Sequence, residues 1–157
     1  MKDKYKNLPL RHGVGIVVLN KFNKVFVAKR IDNPKNFWQM PQGGIDKGEK
    51  ALEAALRELK EETGIESVKL IREINEEITY HLPNNLLGII WKGKFKGQKQ
   101  KWFIMRFLGK NEEINLKTKY PEFLEWKWIN IENITDKVVD FKLHVYEKIK
   151  SELMSIY

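Results

Sequence analysis

The sequence predicts an α/β fold, a mixed β-sheet flanked by helices, on three observations. Short Val- and Ile-rich runs bounded by polar residues mark strands; two longer segments carry helix formers or apolar residues at helical spacing; and the strand signals fall before, between and after those two segments. With 157 residues, 42% of them hydrophobic, the chain suits one domain over residues 1–157, with a real core and no room for two ordinary ones. No internal repeat, low-complexity block or Pro/Gly/Ser linker interrupts it.

In chain order, GVGIVVLN (13–20) and KVFVAKR (24–30), separated by the turn-like Lys21 to Asn23, read as a β-hairpin. Asn33 and Pro34 then end regular structure, and Trp38 is expected to pack behind a glycine loop that follows. Lys50 to Thr63, rich in Ala, Leu, Glu and Lys, reads as a helix stopping at Gly64, with Leu52, Leu56 and Leu59 toward a core. Strand signals follow at Val68 to Tyr80, Leu86 to Trp91, Lys101 to Leu108 and Leu124 to Ile129, where Trp126 and Trp128 share a face. Asp140 to about Ser155 is the second expected helix, with Asp140 as cap and Phe141, Val145 and Ile149 along one stripe.

Composition narrows the chemistry. Lys and Arg number 29 against 21 Asp and Glu, a formal charge of +8 that favours anionic partners such as nucleic acid or nucleotides, although heavy use of Lys, Asn and Ile can also reflect genome composition. With no cysteine there is no disulfide scaffold, thiolate nucleophile or Cys-based zinc site, and His12, His81 and His144 lie too far apart in sequence to suggest a His-based one. Any metal should be a hard cation held by carboxylates. The first residues, MKDKYKNLPLRH, lack the apolar stretch of a signal peptide, and no apolar run approaches the ~20 residues that span a bilayer. A cytoplasmic protein that engages no membrane is expected. The sequence fixes no oligomeric state, and a monomer is the expectation.

The informative stretch is GGIDKGEKALEAALRELKEETGI, residues 43–65. On a helix, Glu58, Glu61 and Glu62 fall at i, i+3 and i+4 and stack on one face. Like charges at those spacings repel, and a bound divalent cation converts that repulsion into oxygen ligation. The glycines ahead of them, Gly43, Gly44 and Gly48, tolerate unusual backbone angles beside a polar ligand. Arg57 precedes Glu58, and its donor fork can reach Glu49 across two turns and hold that carboxylate in place.

Gly43, Glu49, Arg57, Glu58, Leu59, Glu61, Glu62, Gly64 and Ile65 together resemble the Nudix box, G-x5-E-x7-R-E-U-x-E-E-x-G-U with U a bulky aliphatic residue. Seven of those positions demand one residue type, so a chance match is on the order of 10⁻⁹ per alignment. The resemblance implies an α/β/α sandwich and a magnesium-dependent hydrolase, with Mn²⁺ or another divalent cation able to substitute, acting on a nucleoside diphosphate linked to another moiety. FWQMPQGGID, the hexapeptide QKQKWF at 98–103, PEF at 121–123 and VVDFK at 138–142 extend the similarity, from about Arg11 to the last helix. They look like the bacterial RNA pyrophosphohydrolases, also described as dinucleoside polyphosphate hydrolases. What that resemblance implies is removal of pyrophosphate from 5′-triphosphorylated RNA, which starts the decay of the transcript, or cleavage of diadenosine tetra- or pentaphosphate.

Carried over by position, Glu58, Glu61, Glu62 and Glu122 are the expected metal ligands. Glu61, Glu62 or Glu122 is the base that deprotonates the attacking water, and the sequence leaves that choice open. Arg57 supports the catalytic set. For the substrate, Arg11, Lys29 and Arg30 flank the first hairpin and suit phosphate. Gly43 and Gly44 of the glycine loop count among the expected substrate contacts. Gln98, Lys99, Gln100 and Lys101 offer polar donors at a strand entrance. Phe141 and Lys142 match the family segment that stacks on and contacts a base, with Val139 packing beside it. Tyr80 matches a tyrosine that some dinucleoside polyphosphate hydrolases stack on a nucleobase. Residues 84–97 match the family loosely and have no assigned role.

Overall fold

The computed structural model describes residues 3–32 and 35–157, so the expected break at Asn33 and Pro34 lies outside the described residues. Seven strands, β1 (Leu10–Leu19), β2 (Val25–Arg30), β3 (Gln42–Gly44), β4 (Val68–Glu73), β5 (Ile78–His81), β6 (Gly97–Phe107) and β7 (Phe123–Ile129), form one sheet. Its main order is β4-β6-β1-β2-β7, with β3 added to β1 and β5 to β6. The sheet is mixed, because β1 runs parallel to β6 from Leu10↔Gly97 to Leu19↔Arg106 while the other pairs are antiparallel.

Alternation along β1 sends side chains to two cores. Val14, Ile16 and Val18 join Phe26, Phe103 and Met105 beneath α1 (Ala51–Thr63), which contributes Ala54, Ala55 and Leu59. Val17 and Leu19 join Val27, Trp102 and Ile104 beneath α2 (Leu143–Ile156), which contributes Val145, Tyr146, Ile149 and Leu153. This is the α/β/α arrangement expected. Trp126 and Trp128 share the α1 side, 6.1 Å apart, while Trp38 is buried on the α2 side with the Lys127 ammonium 4.1 Å from its ring centroid.

Four expectations are corrected. Leu86 to Trp91 is no strand: the Leu86 and Leu87 amides donate to the Pro83 carbonyl and a short 3₁₀ turn covers Ile90–Gly93, so local turns win over the β-forming side chains. Val68 to Tyr80 is two strands, β4 and β5, both paired to β6 with a break between them. Leu56 is exposed, because the buried stripe of α1 runs through Ala55, Leu59 and Glu62. The second helix proper starts at Leu143 behind a 3₁₀ turn, Asp140–Lys142, and Asp140 makes no capping hydrogen bond. β3, too short to stand out by pattern, was not foreseen.

Two chain segments put the acidic helix at its post. Gly64 ends α1 in the left-handed region at φ 75°, its amide donating to the Lys60 carbonyl, where any Cβ would be strained. Upstream, β1 pairs with β3 at Gly13↔Gly44 and Gly15↔Gln42 but with β2 only at Leu19↔Val25. β1 and β2 thus part beyond Leu19↔Val25, residues 39–41 bond across to both of them, and we take the opening where the two strands diverge as the candidate site.

Candidate active site

Arg57 is the hub of the acidic helix. Its Nε and Nη2 donate to the Glu49 carboxylate at 2.8 and 2.9 Å, Nη2 to the Gly44 carbonyl at 2.9 Å, and Nη1 to Glu58 and Glu61 at 2.9 and 3.2 Å. One planar fork thereby ties the loop before α1 to its acidic face, a task that suits five fixed donors. Glu49 in turn accepts from the Asp46 amide at 3.0 Å and so closes the turn that leads into the helix. The Arg57 guanidinium, with help from that amide, lowers the Glu49 carboxyl to about 2.

That shift has a checkable consequence. A carboxyl lower in the folded state than its ordinary value near 4.5 adds stability above pH 4.5, and the gain disappears as pH falls through about 2. Chemical-shift titration should find Glu49 ionising at about 2, and Glu49→Gln should remove part of the stability lost between pH 4.5 and 2. A Glu49 midpoint near 4.5 would contradict the clamp.

Gly43 and Gly44 are present for close approach. Both have extended backbone in β3, and neither is among the residues of positive φ. A Cβ on Gly43 would lie 2.1 Å from the Glu58 carboxyl carbon, and one on Gly44 would lie 2.4 Å from an Arg11 nitrogen. The unusual backbone angles expected of the three glycines are found only at Gly48, φ 80°; Gly43 and Gly44 are extended, and what they provide instead is room for Glu58 and Arg11.

The three helix carboxylates divide. Glu58 and Glu61 turn to Arg57, while Glu62 is buried at 4% exposure and faces Glu122. Glu122 immediately precedes β7, where the Arg30↔Phe123 pairing and the Ile31 amide bonded to the Glu122 carbonyl bring it to the end of β2. Burial, followed by the charges of Glu122 and Glu58, pushes the Glu62 carboxyl well up. Burial also raises Glu58 against the pull of Arg57. Glu62 Oε2 is buried without a hydrogen-bond partner among the described residues. Hard oxygen donors that repel one another, one of them orphaned, suit a hard divalent cation. Among the described residues no group of three acidic or imidazole side chains stands ready-formed around one point, since Arg57 holds two of the carboxylates.

Basic and aromatic groups face this acidic set. Arg30 grips Asp32 through Nε and Nη2 at 2.8 and 3.0 Å and lies 3.8 Å from Glu122, an anchoring role for Asp32 that its sequence context did not signal. Asp32 raises the Arg30 guanidinium further. Lys142 is buried, and desolvation followed by the Arg30 charge lowers its ammonium to about 8. Its Nζ lies 5.3 Å from the Tyr80 ring centroid and 5.8 Å from that of half-exposed Phe141. Val139 stands at the start of the same turn.

Tyr80 differs from expectation. It is 2% exposed, its ring 5.7 Å from Phe141, and burial raises its hydroxyl to about 12. It backs Phe141 and offers no open face of its own. Its hydroxyl belongs to an amide ladder, donating to Gln98 Oε1 at 3.4 Å and accepting from Gln42 at 3.3 Å; Gln100 bonds both Gln98 and Gln42, and Trp102 donates to Gln100. Gln42, placed by the unforeseen β3, was missed for that reason.

Not every expected substrate residue arrives. β6 is interior to the sheet, so Gln98 and Gln100 are fully buried on the α2 side while Lys99 and Lys101 point to the other face. There they line a groove with His12 and the 45–51 loop, and Lys101 pairs with Glu73 at 2.6 Å. Lys29 pairs with Glu125 at 3.0 Å on β7. Arg11, Arg30, Phe141, Lys142 and buried Gln98 instead gather around Tyr80, which meets Phe141, Lys142 and Gln98 directly and whose hydroxyl feels the charges of Arg11 and Arg30.

A sandwich of this topology, with an arginine-clamped acidic helix at the split of its sheet, is the architecture of a pyrophosphate-cleaving hydrolase. The chain belongs to the Nudix family: the NUDIX domain matches residues 9–149. It is 70% identical over 156 residues to the RNA pyrophosphohydrolase of Pelagibacter ubique (strain HTCC1062), covering 99% of each chain. It is 45% identical over 155 residues to the RNA pyrophosphohydrolase of Orientia tsutsugamushi (strain Boryong), covering 97% of this chain and 96% of that one. Among solved structures, the E. coli dihydroneopterin triphosphate pyrophosphohydrolase superposes with a TM-score of 0.68 at 20% identity, covering 92% of this chain and 99% of that one. A C. elegans Ap4A hydrolase complex superposes at 0.63 with 19% identity, covering 91% and 98%; at such identities the likeness is one of fold.

Proposed function

We propose that this chain, acting as one Nudix domain in the cytoplasm, hydrolyses the 5′-triphosphate of RNA to a 5′-monophosphate and pyrophosphate with Mg²⁺. The observation that carries the reading is the meeting, at one opening of the sheet, of the arginine-clamped acidic helix with Arg11, Arg30, Lys142 and Phe141. The names of the 70% and 45% identical relatives support the same activity. Among the described residues no helix is long and apolar enough to cross a membrane.

Glu58, Glu61, Glu62 and Glu122 would hold the cation, which when bound neutralises the polyphosphate and lowers the pKa of water. The residues of the chain do the rest. Arg11, Arg30 and Lys142 bring fixed positive charge to the phosphate oxygens and hold the chain of phosphates in line. Phe141, backed by Tyr80 and with Val139 beside it, offers an aromatic face on which a base can stack, a contact worth ~1–3 kcal/mol and tolerant of base identity. Glu61, Glu62 or Glu122 accepts the proton of the attacking water. Arg57 keeps Glu58 turned toward the site, and Glu49 keeps Arg57 in place.

The test is competition. Offered 5′-triphosphorylated RNA and diadenosine tetraphosphate at equal concentration with Mg²⁺, the enzyme should consume the RNA first and release pyrophosphate. Faster loss of the dinucleotide would assign the chain instead to dinucleoside polyphosphates.

A further inference from the structure

Arg11 stands in the parallel register opposite Gln98, with both side chains on the α2 side of the sheet. Among the described residues no carboxylate or carbonyl accepts from its guanidinium, which lies over the indole of Trp91, 5.1 Å from the ring centroid. The same guanidinium presses against the Gly44 backbone, at the edge of the acidic site. Beside it, Gln98 Nε2 is fully buried, packs against Gly13 and has no acceptor. Two donor groups without a hydrogen-bond acceptor among the described residues thus share one corner of the site, a corner that asks for an acceptor-rich ligand.

What holds Arg11 there is the segment without an assigned role. Trp91 and Lys92 both adopt the left-handed region, φ 52° and 57°, which side chains other than glycine rarely enter. The Trp91 ring meets Phe95 edge-on at 6.2 Å and packs with Ile90 on the α2-side core. A backbone so far from its preferred region, braced by Phe95 and the core, presents one aromatic ring to one arginine. An unbonded Arg otherwise samples many rotamers, and fixing it beforehand reduces the entropy lost on binding.

We propose that Trp91 is a positioning residue: it stacks on Arg11 and pins the guanidinium beside Gln98 Nε2, so that the pair receives the oxygens of a polyphosphate. The inference rests on the reading above that a polyphosphate occupies this opening, and deepens it by assigning the 84–97 segment a part in substrate affinity. Arg30 is held by Asp32 and Glu122 and Lys142 lies against Tyr80 and Phe141, whereas Arg11 depends on a stack with Trp91, outside the catalytic carboxylates.

The test uses the full chain and two readouts, calorimetric affinity for inorganic tripolyphosphate without added metal, and kcat and KM on triphosphorylated RNA with Mg²⁺. Trp91→Leu, which keeps apolar volume and loses the aromatic face, should weaken tripolyphosphate binding about five- to tenfold and raise KM comparably, with kcat within about twofold. Trp91→Phe should stay near wild type. Added to Arg11→Ala, Trp91→Leu should cause no further loss, because its effect passes through the arginine. Wild-type affinity in Trp91→Leu, or full additivity with Arg11→Ala, would overturn the inference. If the wild-type chain leaves the RNA intact yet shows this pattern with tripolyphosphate, the functional reading fails and the positioning role stands; if it consumes the RNA and Trp91→Leu binds normally, only the positioning role falls.

Discussion

Glu61→Gln should lower kcat on triphosphorylated RNA by about 10³-fold or more, while the melting temperature moves by no more than about 2 °C. The two outcomes separate because the side chain is 58% exposed and its recorded partner is the Nη1 of Arg57, a donor that an amide oxygen can still satisfy. Folding therefore loses little. The reaction loses a formal negative charge and an oxygen donor of a set that, in the proposed chemistry, holds the cation, and such a change is worth several kcal/mol at the transition state. Thermal melts run beside single-turnover kinetics check both halves. Wild-type turnover in Glu61→Gln would remove the acidic helix from the mechanism, and a collapse in stability would mean that Glu61 supports the fold.

The second large effect belongs to Arg57. Glu49 and Glu58 expose only 14% and 15% of their side chains, so truncating Arg57 to Ala leaves two largely buried carboxylates without their cation. The melting temperature should therefore fall by several degrees, since both carboxylates lose their charged donor while keeping their mutual repulsion. Activity should also fall, by about 10- to 100-fold, because Glu58 loses the contact that orients it. Arg57→Lys distinguishes charge from geometry. A lysine restores the charge, but a single ammonium cannot reach Glu49, Glu58 and the Gly44 carbonyl together, so it should recover part of the stability and little of the activity. Full recovery by lysine would show that the fork geometry is dispensable. Denaturant melts and steady-state kinetics on the three proteins give the answer.

Much of the site was legible because the informative residues are neighbours in sequence. Glu58, Glu61 and Glu62 lie within five residues, and a regular helix turns that spacing into a face. The clamp between Arg57 and Glu49 follows from the same short range. The dense Val and Ile run of β1 likewise announces a strand, and in the structure its successive side chains divide between the two cores. Leu86 to Trp91 misled because β-forming side chains also occur in turns, and the deciding events were carbonyl pairings to Pro83 and backbone angles that no side-chain pattern reveals.

Lys99 and Lys101 show a different limit. Their spacing with Gln98 and Gln100 is plain, but which members of an alternating strand face the substrate depends on what covers each side of the sheet. Tyr80 could be placed near the base site by resemblance, yet its burial behind Phe141 is a packing result.

The sequence by itself determined the two helices, the hairpin, the acidic face of α1 and the arginine that clamps it, all interactions within about two helical turns or one strand period. Tertiary structure alone decided that Glu62 is buried against Glu122, that Lys99 and Lys101 face away, and that Trp91 lies on Arg11. The reason is physical: burial, electrostatic coupling and stacking depend on distances between residues far apart in the chain, and those distances exist only once the sheet has set its register and the helices have covered its faces.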